Sequence, residues 1–528
     1  MSVTQCKLGS LLIKDHYGEV VEKVCTYLVE HGARALGVLA KETGLQLEQV
    51  KKALTVVIQL GHVEYGCHKR GFVEYSARLD RILLHTRYPS YIYCAKSLYG
   101  DAGELIIEEL LQNGHMLMSE VVSKVWQRLM EVVEQNKFVE EGTVRQKCVD
   151  LISTHFLQRA PAVTNNSELK EGSATPTLTV PEEEMYKIPK GMSPDSKINI
   201  RKRKLSETGA DENPLKKKKT EPAIDEGIYW GVNFDRFHQY MRDQVIVAAI
   251  KRRVDENAAM IVQTMLRISE VTTSCLADVT NPVATNEIFE ALPKEPAIDQ
   301  STLNQYLKIL VEDQTEFVSK YSTSGGGMYV VNIYKAVKEL CIASLGSTVQ
   351  ERFGQKSYRI FKLLLTKKYL EQKQIEDFAL IPAKEAKEML YKMFAEQLIS
   401  VQEIPRTPDH APSRTFFLFN VNADQVCRNI LERSYKSIVN LFLRRNHETQ
   451  NNKRVIEKSQ RVEAIAASLQ SAGADDAQTA EIEDMITPAE AAQLKRYKDN
   501  ISKLEKSEIQ VDEAIFILKL YLEYSKSC

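Results

Sequence analysis

The residues of this chain that could do chemistry are few and scattered. Cys67 and His68 are adjacent, and His62, His115, His155, His238 and His410 fall near expected loops or hairpin tips. A Cys–His pair invites a zinc site, but a zinc finger needs a second ligand pair at short spacing, and none stands nearby. No histidine has a matched nucleophile or acid. No G-x-x-x-x-G-K-[ST], H-E-x-x-H or G-x-S-x-G string occurs. Gly325-Gly326-Gly327 lacks the Lys-Ser/Thr of a phosphate loop and has strand-like flanks, so a hairpin turn is expected there. No catalytic set, metal site or cofactor is expected. Cationic chemistry remains. Lys51, Lys52, Lys69 and Arg70 form one set, and Lys384, Lys387, Lys392 and Arg406 another. Such residues contact phosphates, which positions a protein on DNA without reading its sequence. Glu385 and Glu388 dilute the second set, so a protein partner competes with DNA there.

The elements that must carry these cations repeat. Val20, Val21, Val24, Leu28 and Val29 fit one helix. Leu36, Leu39 and Ala40 fit a second, ended by Gly44. Val50, Leu54, Val57 and Ile58 fit a third, with Lys51 and Lys52 on its outer face. Val63-Glu64-Tyr65 and Phe72-Val73-Glu74-Tyr75 then alternate like two strands, with Lys69 and Arg70 at the tip. Helix, helix, turn, helix, strand, tip, strand is a winged helix.

The clearest second copy lies near residue 360. Ile360, Leu363 and Leu364 mark its first helix and Ile375, Phe378 and Ala379 its second. Pro382, Ala386, Leu390 and Phe394 mark its third. Strands are expected at 399–404 and 415–421, with Pro405, Pro408 and Pro412 in a tip that cannot join a ladder. Another copy runs from a long helix with Phe234, Phe237, Met241 and Val245, through short helices at 285–292 and 299–313, to a hairpin around the three glycines. In the least regular copy, helices at 101–114 and 118–131 precede "HFLQR", a first wing strand. "PTLTV" (176–180) is its expected return, and 161–175 an enlarged tip. The resulting expectation is a mainly α chain with small β-wings: four tandem winged-helix domains (1–84, 85–180, 225–338, 339–425) and a C-terminal antiparallel coiled coil (426–528).

The bulk properties agree. A chain of 528 residues exceeds what one core supports. A net charge of −1 gives no global field toward nucleic acid, so any DNA contact must be local. Nine scattered cysteines without a C-x-x-C pair suit reduced thiols inside a cell. The first twenty residues lack a signal peptide's apolar core, and no apolar run reaches the ~20 residues of a membrane span.

Residues 181–224 form an expected disordered basic linker. Arg201, Lys202, Arg203 and Lys204 make one cluster and Lys216, Lys217, Lys218 and Lys219 another, the pattern of a bipartite nuclear import signal. A solvated linker that grips phosphate loosely is the plainer alternative. Helices are expected at 434–470 and 489–525. Leu494, Tyr497, Ile501, Leu504, Val511, Ile515, Leu518 and Leu522 make a seam in the second, interrupted at Glu508.

Several long strings now stand out: "GEVVEK" (18–23), "HKRGFVEY" (68–75), "RYPSYIY" (87–93), "GELIIEELL" (103–111), "GIYWGVNFDRFHQYMRDQ", "GGGMYVVN", "IPAKEAKEMLYKM", "TPDHAPSRTF", "EKSQRVEAI" and "SEIQVDEAIFIL". In these the chain resembles the large winged-helix subunit family of eukaryotic RNA polymerase III, related to the alpha subunit of general factor TFIIE. The basic linker departs most from the family's wording. The resemblance implies four winged helices and a coiled coil. It implies a heterotrimer with two smaller polymerase III-specific subunits, seated on the clamp of the largest subunit. It also implies recruitment by a promoter-bound initiation factor and contact with the DNA backbone, single-stranded or melted. Nucleotide addition would belong to the two largest subunits. The implied compartment is the nucleus, with the cytosol a second site through the family's link to sensing of cytosolic DNA. The competing reading is a scaffold subunit of another large assembly, such as the proteasome lid, using winged helices only for protein contacts. Such subunits carry a helical-repeat array and one terminal winged helix.

Overall fold

The computed structural model describes residues 2–68, 71–132, 140–160, 180–188, 225, 227–293, 298–323, 326–405, 415–471 and 485–527. The chain divides into two units, Gly9–Met241 and Met1–Leu8 with Arg242–Cys528. Helices dominate both, and the described residues hold four small antiparallel sheets.

The first unit takes α1 (Val3–Tyr17) from Gly9 onward, then α2 (Glu19–His31), β1 (Arg34–Ala35), α3 (Leu36–Thr43), α4 (Leu47–Gln59), β2 (Val63–Cys67) and β3 (Val73–Ala77). Val21, Val24 and Leu28 of α2, Leu39 of α3, and Val50, Leu54 and Val57 of α4 share one core with Ile13 of α1. The α2 and α4 sets recur at three- and four-residue steps, so one face of each of these helices leaves water. Gly44 ends α3 in the left-handed region at φ 67°. The hairpin pairs Tyr65 with Tyr75, and β1 adds a short third strand in the order β1-β3-β2. Neither α1 nor β1 is marked by the apolar spacing.

The next segment holds α5 (Leu79–Ile82), α6 (Tyr88–Asn113), β4 (Met116–Leu117), α7 (Met118–Val132), α8 (Glu141–Ser153), β5 (Leu157–Arg159), α9 (Glu182–Met185) and β6 (Tyr229–Val232). Gly100, at φ 75°, breaks α6 into two rods. The expected return strand is corrected here. Strand β6 pairs with β5 (Leu157 opposite Val232) and with β4, as the middle strand in the order β4-β6-β5. The partner of "HFLQR" is therefore Tyr229–Val232, not "PTLTV", whose residues 176–179 lie outside the described residues. Those four residues close this second sheet rather than opening the third module at 225. Trp230, 2% exposed, joins Phe156, Leu157 and Phe237 in the core and fixes which face of the strand points inward. Gly114, at φ 76°, brings the two modules of this unit together. A Cβ there would stand 2.3 Å from the Gln59 carbonyl oxygen, which accepts from His115 N at 3.2 Å.

The second unit takes the C-terminal part of α10 (Phe234–Arg253), then α11 (Glu256–Ser269), β7 (Val283–Ala284), α12 (Thr285–Ala291), α13 (Gln300–Glu312), β8 (Val318–Ser322) and β9 (Met328–Val331). The sequence pattern gave no separate α11, yet its Ala259, Ile261, Val262 and Met265 are central to this core. Asp255 starts it by accepting from Ala258 N at 2.7 Å. Gly326 and Gly327 have positive φ beside β9, as a hairpin turn needs; Gly325 lies outside the described residues.

Helix α14 (Ile333–Phe353) leads to α15 (Gln355–Lys367), α16 (Gln372–Ala379), α17 (Ala383–Ala395), β10 (Ser400–Pro405) and β11 (Thr415–Asn420). Ile360, Leu364, Ile375, Ala379, Ala386 and Leu390 are buried as expected. Phe378 and Phe394 are not: both face solvent, and Met393 fills the third inward position of α17. Pro405 is also corrected, since it ends the ladder opposite Thr415 instead of belonging to the tip. A terminal position tolerates Pro because it needs no further N–H donor. Pro408 and Pro412 lie outside the described residues.

The C-terminal helices are α18 (Ala423–Asn451), α19 (Lys453–Ser471) and α20 (Pro488–Ser527). A break at Asn452 divides what periodicity joined as 434–470. Tyr521 Oη donates to Asp424 at 2.6 Å, Arg445 to Glu508 at 3.0 Å and Lys458 to Glu490 at 2.6 Å. Positions rise along one side as they fall along the other, so α20 runs antiparallel to α18 and α19. Glu508, the polar break in the apolar seam, is matched by Arg445. Deeper in this unit, Arg242 is buried and donates to Asp243 at 2.7 Å, Tyr524 Oη at 3.0 Å and the Cys275 carbonyl at 3.0 Å. Burial alone would lower the Arg242 pKa, but Asp243 and Tyr524 more than offset it.

Candidate nucleic-acid interface

Helices α4 and α17 each occupy the third position of a helix-helix-helix-hairpin series, where a winged helix presents its exposed face. Gln49 accepts from Gln46 N at 3.3 Å at the start of α4. Helix α17 starts after Pro382, whose ring sets φ at −58°. Leu380, in the left-handed region at φ 54°, turns the chain out of α16 just before it.

The predicted phosphate contacts sort into three groups. Lys51 and Lys52 are exposed on α4, but Lys51 is paired with Glu48 at 3.1 Å. Lys384, Lys387 and Lys392 are exposed on α17; Lys392 is paired with Glu388 at 2.7 Å, while Glu385 pairs with Lys356 at 2.5 Å. Lys392, and less strongly Lys384, hold the Glu388 carboxyl below its usual pKa. Lys384 and Lys387 have no ion pair among the described residues. Lys69, Arg70 and Arg406 lie outside the described residues, as do the import-signal residues Arg201 to Lys204 and Lys216 to Lys219.

Two further residues share the surface of α17. Tyr391 is 63% exposed and Phe394 46% exposed. For Phe394, apolar character alone suggests core; Tyr391 carries no such expectation. The deciding signal is angular: both lie off the inward line of Ala386, Leu390 and Met393 at helical spacing.

A different chemistry sits behind α4. His62 and His85 are buried with ring centroids 4.7 Å apart, and His16 lies 5.1 Å from His85. His85 Nδ1 donates to the Ile82 carbonyl at 2.8 Å, so Nε2 accepts from Tyr17 Oη at 3.0 Å. Burial pushes the His85 pKa down to about 4 and His62 well below the usual range, aided by neighbouring positive charge. Both rings are therefore neutral packing groups at pH 7. A cleft of about 620 Å³ nearby is lined by Tyr65, Arg78, Arg81, Tyr88, His115 and Phe234. Arg78 is engaged with Glu64 at 2.7 Å, and Arg81 lies over the Phe234 ring at 5.0 Å. No group of three metal-ligating side chains converges among the described residues. The described surface thus offers cations and aromatic rings.

Four family profiles match this chain. "RNA polymerase III subunit RPC82 helix-turn-helix domain" covers 7–68 and "RNA polymerase III subunit RPC82" covers 146–340. "POLR3C, C-terminal winged-helix domain" covers 345–421 and "DNA-directed RNA polymerase III subunit RPC3, helical hairpin domain" covers 454–517. Over 530 residues the chain is 53% identical to DNA-directed RNA polymerase III subunit RPC3 of Bos taurus and 52% identical to that of Homo sapiens, covering 99% of both chains in each case. It belongs to the RPC3 family of RNA polymerase III subunits. The family's C-terminal winged-helix profile runs from the end of α14 through β11, which includes the α17 surface. Its helical-hairpin profile takes in α19 and most of α20.

Proposed function

We propose that this chain is a non-catalytic subunit of RNA polymerase III that acts in initiation and promoter opening. The observation that carries the reading is identity above half over essentially the whole length of RPC3 subunits. In this reading four winged-helix modules are grips, and the C-terminal helices form an antiparallel coiled coil that serves as an arm. Its partners are two smaller polymerase III-specific subunits in a heterotrimer, the clamp of the largest subunit, and a promoter-bound initiation factor. The exposed lysines of α4 and α17, with the hairpin tips, contact the DNA backbone without reading sequence. The cluster pair at 201–204 and 216–219 directs nuclear import, and the cytosol is a second compartment. Nucleotide addition takes place in other subunits.

Purification of the tagged chain from nuclear extract tests this. The expected co-purifying set is RNA polymerase III with two small specific subunits. Recovery of proteasome-lid or translation-factor subunits instead would replace the reading with the scaffold alternative.

A further inference from the structure

The outer surface of α17 separates into two sides. At 3.6 residues per turn, Lys384, Lys387, Tyr391 and Phe394 fall within an arc of about 80°, along about 15 Å of helix. Glu385, Glu388 and Lys392 fall on the other side, and all three are ion-paired there. One side is thus internally neutralised. The other holds two lysines without ion pairs among the described residues and two exposed rings.

We infer that the Lys384–Lys387–Tyr391–Phe394 stripe is a stacking platform for single-stranded nucleic acid, with the lysines on phosphates and the rings on unpaired bases. This rests on the proposed role in promoter opening and assigns a site for it. The ligand follows from the combination. Single strands present negative phosphates and open base faces together, and platforms that bind them pair cations with aromatic side chains. A duplex offers the phosphates but keeps its base faces stacked. A protein partner fits less well, because the cores of protein interfaces are depleted in lysine, and half of this stripe is lysine. Lys392 belongs with the neutralised side and is not part of the platform.

The test uses the full-length chain, fluorescein-labelled oligothymidylate and a labelled duplex, read by fluorescence anisotropy across salt. The double substitution Tyr391→Ala/Phe394→Ala weakens oligothymidylate binding at least tenfold, since each stacked base contributes substantially. It leaves duplex affinity and the salt slope unchanged. Lys384→Ala/Lys387→Ala flattens the logarithmic salt slope for the single strand by about 1.4. Tyr391→Phe retains binding. All four side chains are exposed, and circular dichroism of each variant checks the fold. Wild-type affinity in the aromatic variant overturns the platform, and so does a wild-type chain that does not bind oligothymidylate. Loss of a named polymerase subunit from the aromatic variant, with oligothymidylate affinity intact, also overturns it and makes the stripe a protein-docking face. None of these results removes the chain from the polymerase; only the purification experiment does that.

Discussion

Helices α4 and α17 have the same length, 13 residues, and bury equivalent lines: Val50, Leu54 and Val57 in one, Ala386, Leu390 and Met393 in the other. Their surroundings differ. Behind α4 lies a buried imidazole cluster, and its outer Lys51 is paired locally. Helix α17 has no histidine near it among the described residues of 345–421, and it exposes aromatic rings beside Lys384 and Lys387, which have no ion pair among the described residues. The buried line decides that a helix forms and how it seats. It leaves the outer arc free to differ.

The shared half of this comparison is tested by the largest effect. Leu54→Ala and Leu390→Ala each remove a fully packed side chain and are expected to destabilise their own modules by about 3 kcal/mol. Amide hydrogen exchange in α4 and α17 reads each separately. A loss under ~1 kcal/mol in either would end the equivalence of the two cores.

The unshared half appears under acid. His85 favours the folded state only while neutral, because its folded pKa of about 4 lies below its ordinary 6.5. That stabilisation is complete above pH 6.5 and is lost as pH falls toward 4. At pH 5 the loss from His85 is about 2 kcal/mol, and His62 acts in the same direction. Tyr17, Tyr88, His16 and Arg81 face this cluster and offer no negative charge at pH 7 to hold an imidazolium. Exchange in α4 should therefore accelerate between pH 7 and pH 5 more than exchange in α17, after correction for intrinsic rates. Equal acceleration would break the contrast.

The smallest effect sharpens the two sides of α17. Glu388→Gln releases Lys392 from its pair and should raise oligothymidylate affinity by less than about threefold, as expected for an exposed ion pair. A rise above tenfold would mean that the paired side, not the aromatic stripe, governs binding.

The order of helices and hairpins was legible because apolar residues at three- and four-residue steps mark buried faces, as in Val50–Leu54–Val57. The two-residue strands β1, β4 and β7 carry no alternation long enough to read. Strand β6 is not marked in the sequence at all, because its partners precede it by a long connection and pairing of that kind leaves no local trace. Phe378 and Phe394 were assigned inward because residue type reports hydrophobicity and not direction. At the candidate site, the lysines of α17 were visible by type. Their sorting into a paired and an unpaired side needed the positions of Lys356, Glu385 and Glu388 in space.

The place of Tyr229–Val232 between β4 and β5 has a practical consequence. Cutting the backbone in the connection that follows Arg159 would sever the covalent link but not the sheet, so the two pieces should stay bound as complementing fragments. An amino-terminal piece made alone and ending at 180 would instead expose the two flanking strands with nothing between them, inviting a foreign strand, or another copy's, into the gap.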